Sequence, residues 1–220
     1  MSFNGFDPAA IALLDRLPEM SADEYAEHKG LLAAGLTKPG GDLIAEVADR
    51  LDADLTVVPR SSVSPLHRDL RFAPEGAARY KDHLLLTTWE GVDKKASPVL
   101  WIRVDADQVG FASGIGFSPV VRERWRAAVG GDAGTELAAE LDVLISEHDA
   151  EVAGDHLKRV QAPFDADHPR ADLLRLTGFQ IRFAEPLPAS VGSPDFSQWC
   201  VARLVALLGI HGWLHTNLTA

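Results

Sequence analysis

Hydrophobic residues recur at spacings of three and four near both ends of the chain, a pattern typical of helices with one buried face. Helix starts are marked by Asp7 and Ser118, each before a proline, and by Ser21 with Glu24, which match a capping box. The widest apolar stripe comprises Phe196, Cys200, Val201, Leu204, Val205 and Leu208. We therefore predict helices at Pro8–Leu17, Ala22–Gly35, Asp42–Leu51, Pro119–Val129, Thr135–His148, Pro169–Thr177 and Pro194–Leu218.

The middle of the chain has short runs of β-branched and aromatic residues separated by turn residues, which indicates strands. The turn residues from Asp105 to Gln108 predict a tight antiparallel hairpin. Helices first, strands next and helices last indicate an α+β fold, with a central, mainly antiparallel sheet flanked by N-terminal and C-terminal helices. We expect one globular domain over residues 1–220. The predicted strands are Leu55–Pro59, Val63–Arg68, Leu84–Trp89, Pro98–Val104 and Val109–Gly114, with Gly178–Phe183 as a further candidate.

Composition and charge limit the function. A chain with 46% hydrophobic and 24% charged residues has the composition of a globular protein. A net charge of −11 argues against non-specific nucleic-acid binding, which needs a basic surface. Cys200 is the single cysteine, and Arg203 interrupts the longest apolar helix, so we predict neither an intrachain disulfide nor a membrane span. With no signal-peptide pattern at the N-terminus, we expect a cytoplasmic protein, whose oligomeric state the sequence leaves open.

One stretch reverses the acidic character of the chain. Residues Pro59–His83, called here the basic segment, carry five lysines and arginines against three acids, a local charge of +2. Convergent cations bind anions or fix a polar network. We hypothesise an anion pocket for a ligand bearing phosphate or carboxylate, because arginine pairs with such groups bidentately and lysine adds a point charge. Its residues would be Arg60, Arg68, Arg71, Lys81 and His83, with Trp89 as a wall.

Two interpretations of the basic segment stay open. On a strand, Lys81 and His83 would share a face, and His83 or His67 could transfer a proton if the bound ligand reacts. Alternatively, Asp69 and Asp82 neutralise the cations, and the segment is an internal salt-bridge brace in a non-enzymatic interaction or structural domain.

The same residues carry a resemblance to a family. The run RSSVSPLHRDLRFAPE from Arg60 to Glu75, followed by YKDH from Tyr80, resembles the central motif of the domain of unknown function 2461 family. Phe3-Asn4-Gly5-Phe6, Asp167-His168-Pro169, Leu173-Leu174-Arg175 and Trp213-Leu214 are similar to other segments of that family. The resemblance implies an α+β single domain in the cytoplasm and no particular activity.

Other patterns do not add chemistry. His211 and His215 are four apart on a predicted helix and could share a metal, but no third ligand is identifiable in the sequence. The glycines from Gly110 to Gly116 lack the spacing and lysine of phosphate-binding loops, so they are expected to ease a strand into a turn. We therefore predict no metal site and no cofactor.

Overall fold

A computed structural model describes residues 2–51, 55–71 and 73–219 of the chain. It contains a six-stranded antiparallel sheet, with strand order β1-β2-β3-β4-β6-β5, and flanking helices. The predicted α+β class is therefore confirmed. The strands are β1 Leu55–Thr56, β2 Leu84–Glu90, β3 Val99–Val104, β4 Gln108–Gly116, β5 Glu151–Ala153 and β6 Gly178–Pro186. The α-helices are α1 Pro8–Ala12, α2 Ala22–Leu32, α3 Lys38–Arg50, α4 Pro59–Ser62, α5 Pro119–Gly130, α6 Ala133–His148, α7 Ala171–Leu174 and α8 Asp195–Leu218.

The predicted helix starts and the hairpin are confirmed by their hydrogen bonds. The Asp7 side chain accepts from the backbone N–H of Ala9, and Ser118 caps α5 in the same way. Ser21 and Glu24 form the complete capping box at the start of α2. In the β3–β4 connection, the backbone N–H of Asp105 donates to the carbonyl of Gln108 at 3.0 Å. Each feature is formed by residues close in sequence, and this explains why the sequence pattern was enough to predict it.

Helix α3 begins four residues earlier than predicted. Residues 36–41 lie between the predicted helices Ala22–Gly35 and Asp42–Leu51, but a π-helical turn at Ala33–Thr37 leads directly into α3. Pro39 is tolerated because it lies in the first turn. A Cβ at Gly40 would lie 2.9–3.0 Å from methyl groups of Leu84 and Leu86, so the glycine permits a close approach of α3 to β2.

The predicted strand Val63–Arg68 was wrong. Only isolated bridges form, from Val63 to Leu86 and from His67 to Tyr80. Pro65 interrupts the ladder because it has no N–H to donate. Before it, the predicted end of the first strand becomes helix α4, where the hydroxyl of the fully buried Ser62 accepts from the backbone N–H of Val58 at 3.0 Å.

Smaller differences lie in the second half of the chain. Helix α7 is shorter than the predicted Pro169–Thr177, because Leu176 instead bridges to His156. Strand β5 was not predicted, since three residues at a sheet edge show no alternation. It pairs antiparallel with β6, with Val152 opposite Ile181.

Residue contacts divide the chain into two compact units. Unit 1 comprises Met1–Thr88, Trp101–Gly110 and Ala184–Arg203, and its core includes Phe3, Phe6 and Phe196 with ring centroids 5.2–6.1 Å apart. The prediction of one domain over the whole chain stays a prediction.

Unit 2 comprises Trp89–Leu100, Phe111–Phe183 and Leu204–Ala220. Its core is centred on Trp125, whose ring contacts Phe179 and Trp213 and whose indole N–H donates to the carbonyl of Leu173 at 2.8 Å. Among the described residues, no helix has the length and apolar character needed to cross a membrane.

Strand β4 provides a test of the close packing in unit 2. A Cβ on Gly114 would overlap the carbonyl oxygen of Phe179 and lie 3.0 Å from the Cα of Gln180, whereas one on Gly116 would meet open space. Gly114→Ala is expected to lower the free energy of unfolding by about 1–3 kcal/mol, because backbone atoms must shift. Gly116→Ala should stay within about 0.5 kcal/mol of wild type. Urea unfolding of both variants measures the difference, and equal effects would contradict this account of the glycine run.

Candidate functional site

The basic segment is held by backbone pairing and by an aromatic cluster in unit 1. The N–H of Arg68 donates to the carbonyl of Arg79, and the N–H of Lys81 donates to the carbonyl of Leu66, both at 2.8 Å. Tyr25 of α2 stacks on Tyr80 with ring centroids 4.1 Å apart, and His67 meets both rings edge-on at 4.8 Å. Because Tyr80 is only 2% exposed, this cluster fixes the backbone next to Lys81. Phe72 of the motif lies outside the described residues.

Lys81 and Arg68 are the two cations that the segment brings together. Partial burial and the nearby positive charge of Arg68 both lower the pKa of Lys81. Arg68 is exposed, and its Nε donates to the carbonyl of Ala78 at 3.2 Å. Among the residues that the structure describes, the Lys81 ammonium has neither a hydrogen bond nor an ion pair. A partly buried cation next to a second cation is thus left without a compensating carboxylate.

The other predicted arginines have different surroundings. Arg71 is 80% exposed and forms a bidentate pair with Asp69, with Nη2 2.7 Å and Nε 3.0 Å from the two carboxylate oxygens. This pair is the bracing arrangement considered for the segment. Arg60 lies on the exposed side of α4, and its side chain makes no ion pair with the described part of the chain.

His83 belongs to a network with Asp82, Arg103 and Asp105 in unit 1. Its Nδ1 lies 2.6 Å from Asp82 Oδ1. Arg103 donates through Nε to both oxygens of Asp105 at 2.9–3.0 Å, and its Nη2 lies 3.5 Å from Asp82 Oδ1. The predicted alternation of Lys81 and His83 along a strand does not apply, because β2 begins only at Leu84 and the preceding residues are bent.

The electrostatics of this network leave His83 mainly neutral at pH 7. Burial lowers the pKa of His83, and Arg103 adds to that shift, whereas the Asp82 carboxylate opposes it. Partial burial acts to raise the pKa of Asp82, but the hydrogen bond from His83 and the charge of Arg103 help to lower it overall. A neutral His83 therefore donates Nδ1–H to the ionised Asp82, which leaves Nε2 with the lone pair of a proton acceptor.

Asp82, His83 and Asp105 could also be considered as metal ligands. Their ligand atoms lie within 4.8 Å of one another. However, the guanidinium of Arg103 already pairs with Asp105 at 2.8 Å and approaches Asp82, so it supplies the positive charge that a metal would bring. A divalent cation would have to displace Arg103, and this set does not fit a metal well.

Trp89, the predicted wall of the anion site, belongs to unit 2. Its ring is 3% exposed, and the Lys94 ammonium lies 5.2 Å from the ring centroid. Its role beside the basic segment stays a prediction.

A second polar cluster, in unit 2, contains residues that sequence reasoning missed. His211 is 1% exposed, and burial with the nearby His215 lowers the pKa of His211 to about 4. Its Nδ1 lies 3.2 Å from the hydroxyl of the fully buried Ser113, and its Nε2 lies 3.3 Å from Oε1 of Glu90. His215 Nδ1 lies 2.8 Å from Oε2 of Glu90. The histidine spacing was the visible signal, but nothing local in the sequence indicates Glu90 or Ser113.

Comparison with known proteins places the chain in a family. A family model described as "Conserved hypothetical protein (DUF2461)" matches residues 23–213. The chain belongs to the DUF2461 family. The basic segment, Arg103 and Asp105 lie inside the matched range, and His215 lies two residues beyond it. No curated protein matches the chain.

A solved structure, an uncharacterized protein from Methanothermobacter thermautotrophicus, is also similar to this DUF2461 chain. It is 14% identical, and the match covers 76% of this chain and 96% of that one with a TM-score of 0.30. At that score the similarity supports no inference about function.

The His83 network predicts pKa shifts of opposite sign in two variants. Asp82→Asn should lower the pKa of His83 further, because it removes the carboxylate charge and weakens the hydrogen bond that favour the imidazolium. Arg103→Gln should raise that pKa, because it removes a neighbouring positive charge. NMR titration of the His83 ring measures both shifts, and shifts of the same sign would contradict the network.

The lowered pKa of His83 also determines the direction in which the free energy of unfolding changes with pH. Because the folded-state pKa lies below the ordinary value of 6.5, protonation of His83 opposes folding. Its contribution to the free energy of unfolding is complete above about pH 6.5 and is lost as the pH falls through the folded-state pKa. His83→Gln should flatten this part of the stability profile measured by urea unfolding.

Proposed function

We propose that this DUF2461-family protein binds a small anion bearing phosphate or carboxylate at Lys81 and Arg68. The observation that supports the proposal is the unpaired, partly buried Lys81 ammonium next to the charge of Arg68. Two neighbouring cations raise each other's free energy, and burial strengthens that repulsion. An anion bound between them would relieve it, with lysine as a point charge and the arginine fork pairing with two oxygens.

The proposed site contains fewer residues than the anion site predicted from the sequence. Arg71 already pairs with Asp69, and the proposed contacts do not include Arg60 or Trp89. We assign a different role to His83, whose Nε2 carries the lone pair. Where a reaction follows binding, His83 would act as general base, and Asp82 would orient its ring. The cations would then stabilise developing negative charge.

The second candidate function is an internal brace in a non-enzymatic interaction domain. The Arg71–Asp69 and Arg103–Asp105 pairs favour it, because both are bidentate and lie within or next to the basic segment. Such pairs order a loop without requiring a ligand. The two candidate functions make different predictions for the Lys81 ammonium, because a brace requires a partner for each cation.

We further propose a cytoplasmic location and a small-molecule partner in preference to nucleic acid. The single cysteine, Cys200, is fully buried, and the protein therefore gains nothing from an oxidising compartment. The net charge of −11 disfavours the phosphate backbone of nucleic acids, while two neighbouring cations can still hold one small anion.

Anion binding can be measured by thermal unfolding and calorimetry. Inorganic phosphate, pyrophosphate and small organic acids are added at constant ionic strength, with chloride as the reference salt. A ligand at 100 times its Kd stabilises the native state by about 2.7 kcal/mol. Lys81→Met should weaken binding by about tenfold or more, because it removes a charge-assisted contact. Arg68→Gln should weaken it as well.

Lys94→Met is the matched control. Lys94 is also partly buried and has a lowered pKa, but burial alone lowers this pKa, and the ammonium lies over the Trp89 ring. Its loss should leave anion binding unchanged. Absence of stabilisation by every anion, or equal losses in the two lysine variants, would refute the proposal.

The ligand-free stability of Lys81→Met separates the pocket from the brace. An anion pocket predicts equal or higher stability in the variant, because removal of the ammonium relieves repulsion and desolvation. A brace predicts lower stability together with no response to anions.

A further inference from the structure

The candidate of interest is the Glu90 cluster in unit 2, made of Glu90, His211, His215 and Ser113. Glu90 is the last residue of β2, and the histidines lie one turn apart on α8. His211 Nε2 is 3.3 Å from Oε1 of Glu90, and His215 Nδ1 is 2.8 Å from Oε2. The Glu90 and His211 side chains are 18% and 2% exposed, whereas His215 is 43% exposed. The carboxylate thus lies between two imidazoles that approach it from one helix.

These two contacts are close but are not hydrogen bonds. Both nitrogens are buried, and within the described part of the chain neither His211 Nε2 nor His215 Nδ1 has a hydrogen-bond partner of acceptable geometry. If His211 Nε2 carries a hydrogen, that hydrogen is not aimed at Glu90, and a buried donor is left unsatisfied. If Nε2 carries only its lone pair, two acceptors face each other at 3.3 Å. Either arrangement is unfavourable in a buried place.

A metal ion between the groups removes this conflict. Zinc bonds to imidazole nitrogen and carboxylate oxygen are about 2.0–2.2 Å long, so neighbouring ligand atoms of a tetrahedral site lie roughly 3.3 Å apart. His211 Nε2 and Oε1 of Glu90 already have this separation, at 3.3 Å, whereas His215 Nδ1 is 2.8 Å from the other carboxylate oxygen, so the His215 ring has to turn before all three ligands meet one ion. Two histidines and one glutamate form an established type of zinc ligand set, with the fourth position left open.

The Ser113 hydroxyl can fix the tautomer of His211 in which Nε2 is free to bind a metal. Its hydroxyl lies 3.2 Å from His211 Nδ1, so Nδ1–H can donate to the hydroxyl oxygen and Nε2 keeps its lone pair for a metal. Partners of the second ring nitrogen commonly fix the tautomer of a metal-bound histidine. Ser113 is fully buried, which makes its hydroxyl unsuitable as a nucleophile for a substrate and consistent with a positioning role.

We propose that Glu90, His211 and His215 bind a divalent transition-metal ion of the zinc type, and that Ser113 orients His211. His211 is fixed by burial, whereas the half-exposed His215 ring can turn so that both imidazoles meet the same ion. The sequence prediction of no metal site rested on a missing third ligand, and Glu90 is that ligand. The proposal involves residues of unit 2 and does not depend on anion binding at Lys81.

The experiment uses the full chain after removal of metals with EDTA and dialysis. Titration calorimetry with Zn²⁺, and visible absorption with Co²⁺ as a probe of coordination geometry, should show one ion per chain. Glu90→Gln and His215→Ala should each weaken Zn²⁺ binding by more than about 100-fold, because even outer-shell changes cost about 10- to 100-fold. Ser113→Ala should weaken it by about tenfold.

Two controls make the result decisive. Asp105→Asn removes a ligand from the Asp82–His83–Asp105 set and should leave Zn²⁺ affinity unchanged. His215→Ala alters a half-exposed side chain, so circular dichroism should show a folded protein even where changes at the buried His211 do not. Equal zinc uptake by wild type and by the Glu90→Gln/His215→Ala double variant would overturn the proposal. So would a wild-type protein that binds no zinc, and the cluster would then be a simple ion pair.

Discussion

Burial of strand β2 is the constraint on which both candidate sites depend. Leu84 and Leu86 are fully buried, and each such side chain contributes about 1.5–3 kcal/mol through removal of apolar surface from water. Thr87 and Thr88 are tolerated there because their hydroxyls donate to the carbonyls of Ser61 and Thr56. Ionisable residues are therefore confined to the two ends of this strand. The residues Lys81 to His83 come before it, and Glu90 ends it.

The ionisable groups differ in how completely the fold compensates them. Arg71 with Asp69 and Arg103 with Asp105 form bidentate pairs, in which each charge is balanced by a fixed partner. Pairs of this kind order surface side chains, and because each charge already has a partner, it gains little from binding a ligand. Lys81 has no comparable partner within the described residues. The charge reversal in the sequence therefore contains both paired arginines and cations without a carboxylate partner, and the proposed anion site rests on the partly buried one, Lys81.

Sequence reasoning succeeded where structure depends on neighbouring residues and failed where it depends on distant ones. The capping box at Ser21 and the turn at Asp105 are local, and both were predicted. The start of α3 was missed because the reason for Gly40 is its close approach to Leu84 and Leu86 of β2, which are distant in sequence. Likewise, the pattern indicated Lys81 and His83 within one segment, but Arg103 comes from another strand. No spacing rule could have joined Glu90 to α8.

The two histidine sites show why residue type alone does not identify chemistry. At His83, the adjacent Asp82 accepts a hydrogen bond from Nδ1 at 2.6 Å, so the ring is oriented and Nε2 is available for a proton. At His211, the Glu90 carboxylate faces Nε2 without hydrogen-bond geometry, and Nδ1 lies within hydrogen-bond distance of the Ser113 hydroxyl. The first arrangement is complete without a ligand, whereas in the second two buried ring nitrogens have no hydrogen-bond partner within the described residues, which is the basis of the proposed metal site. A satisfied histidine suits proton transfer, and an unsatisfied pair that shares a carboxylate suits metal binding.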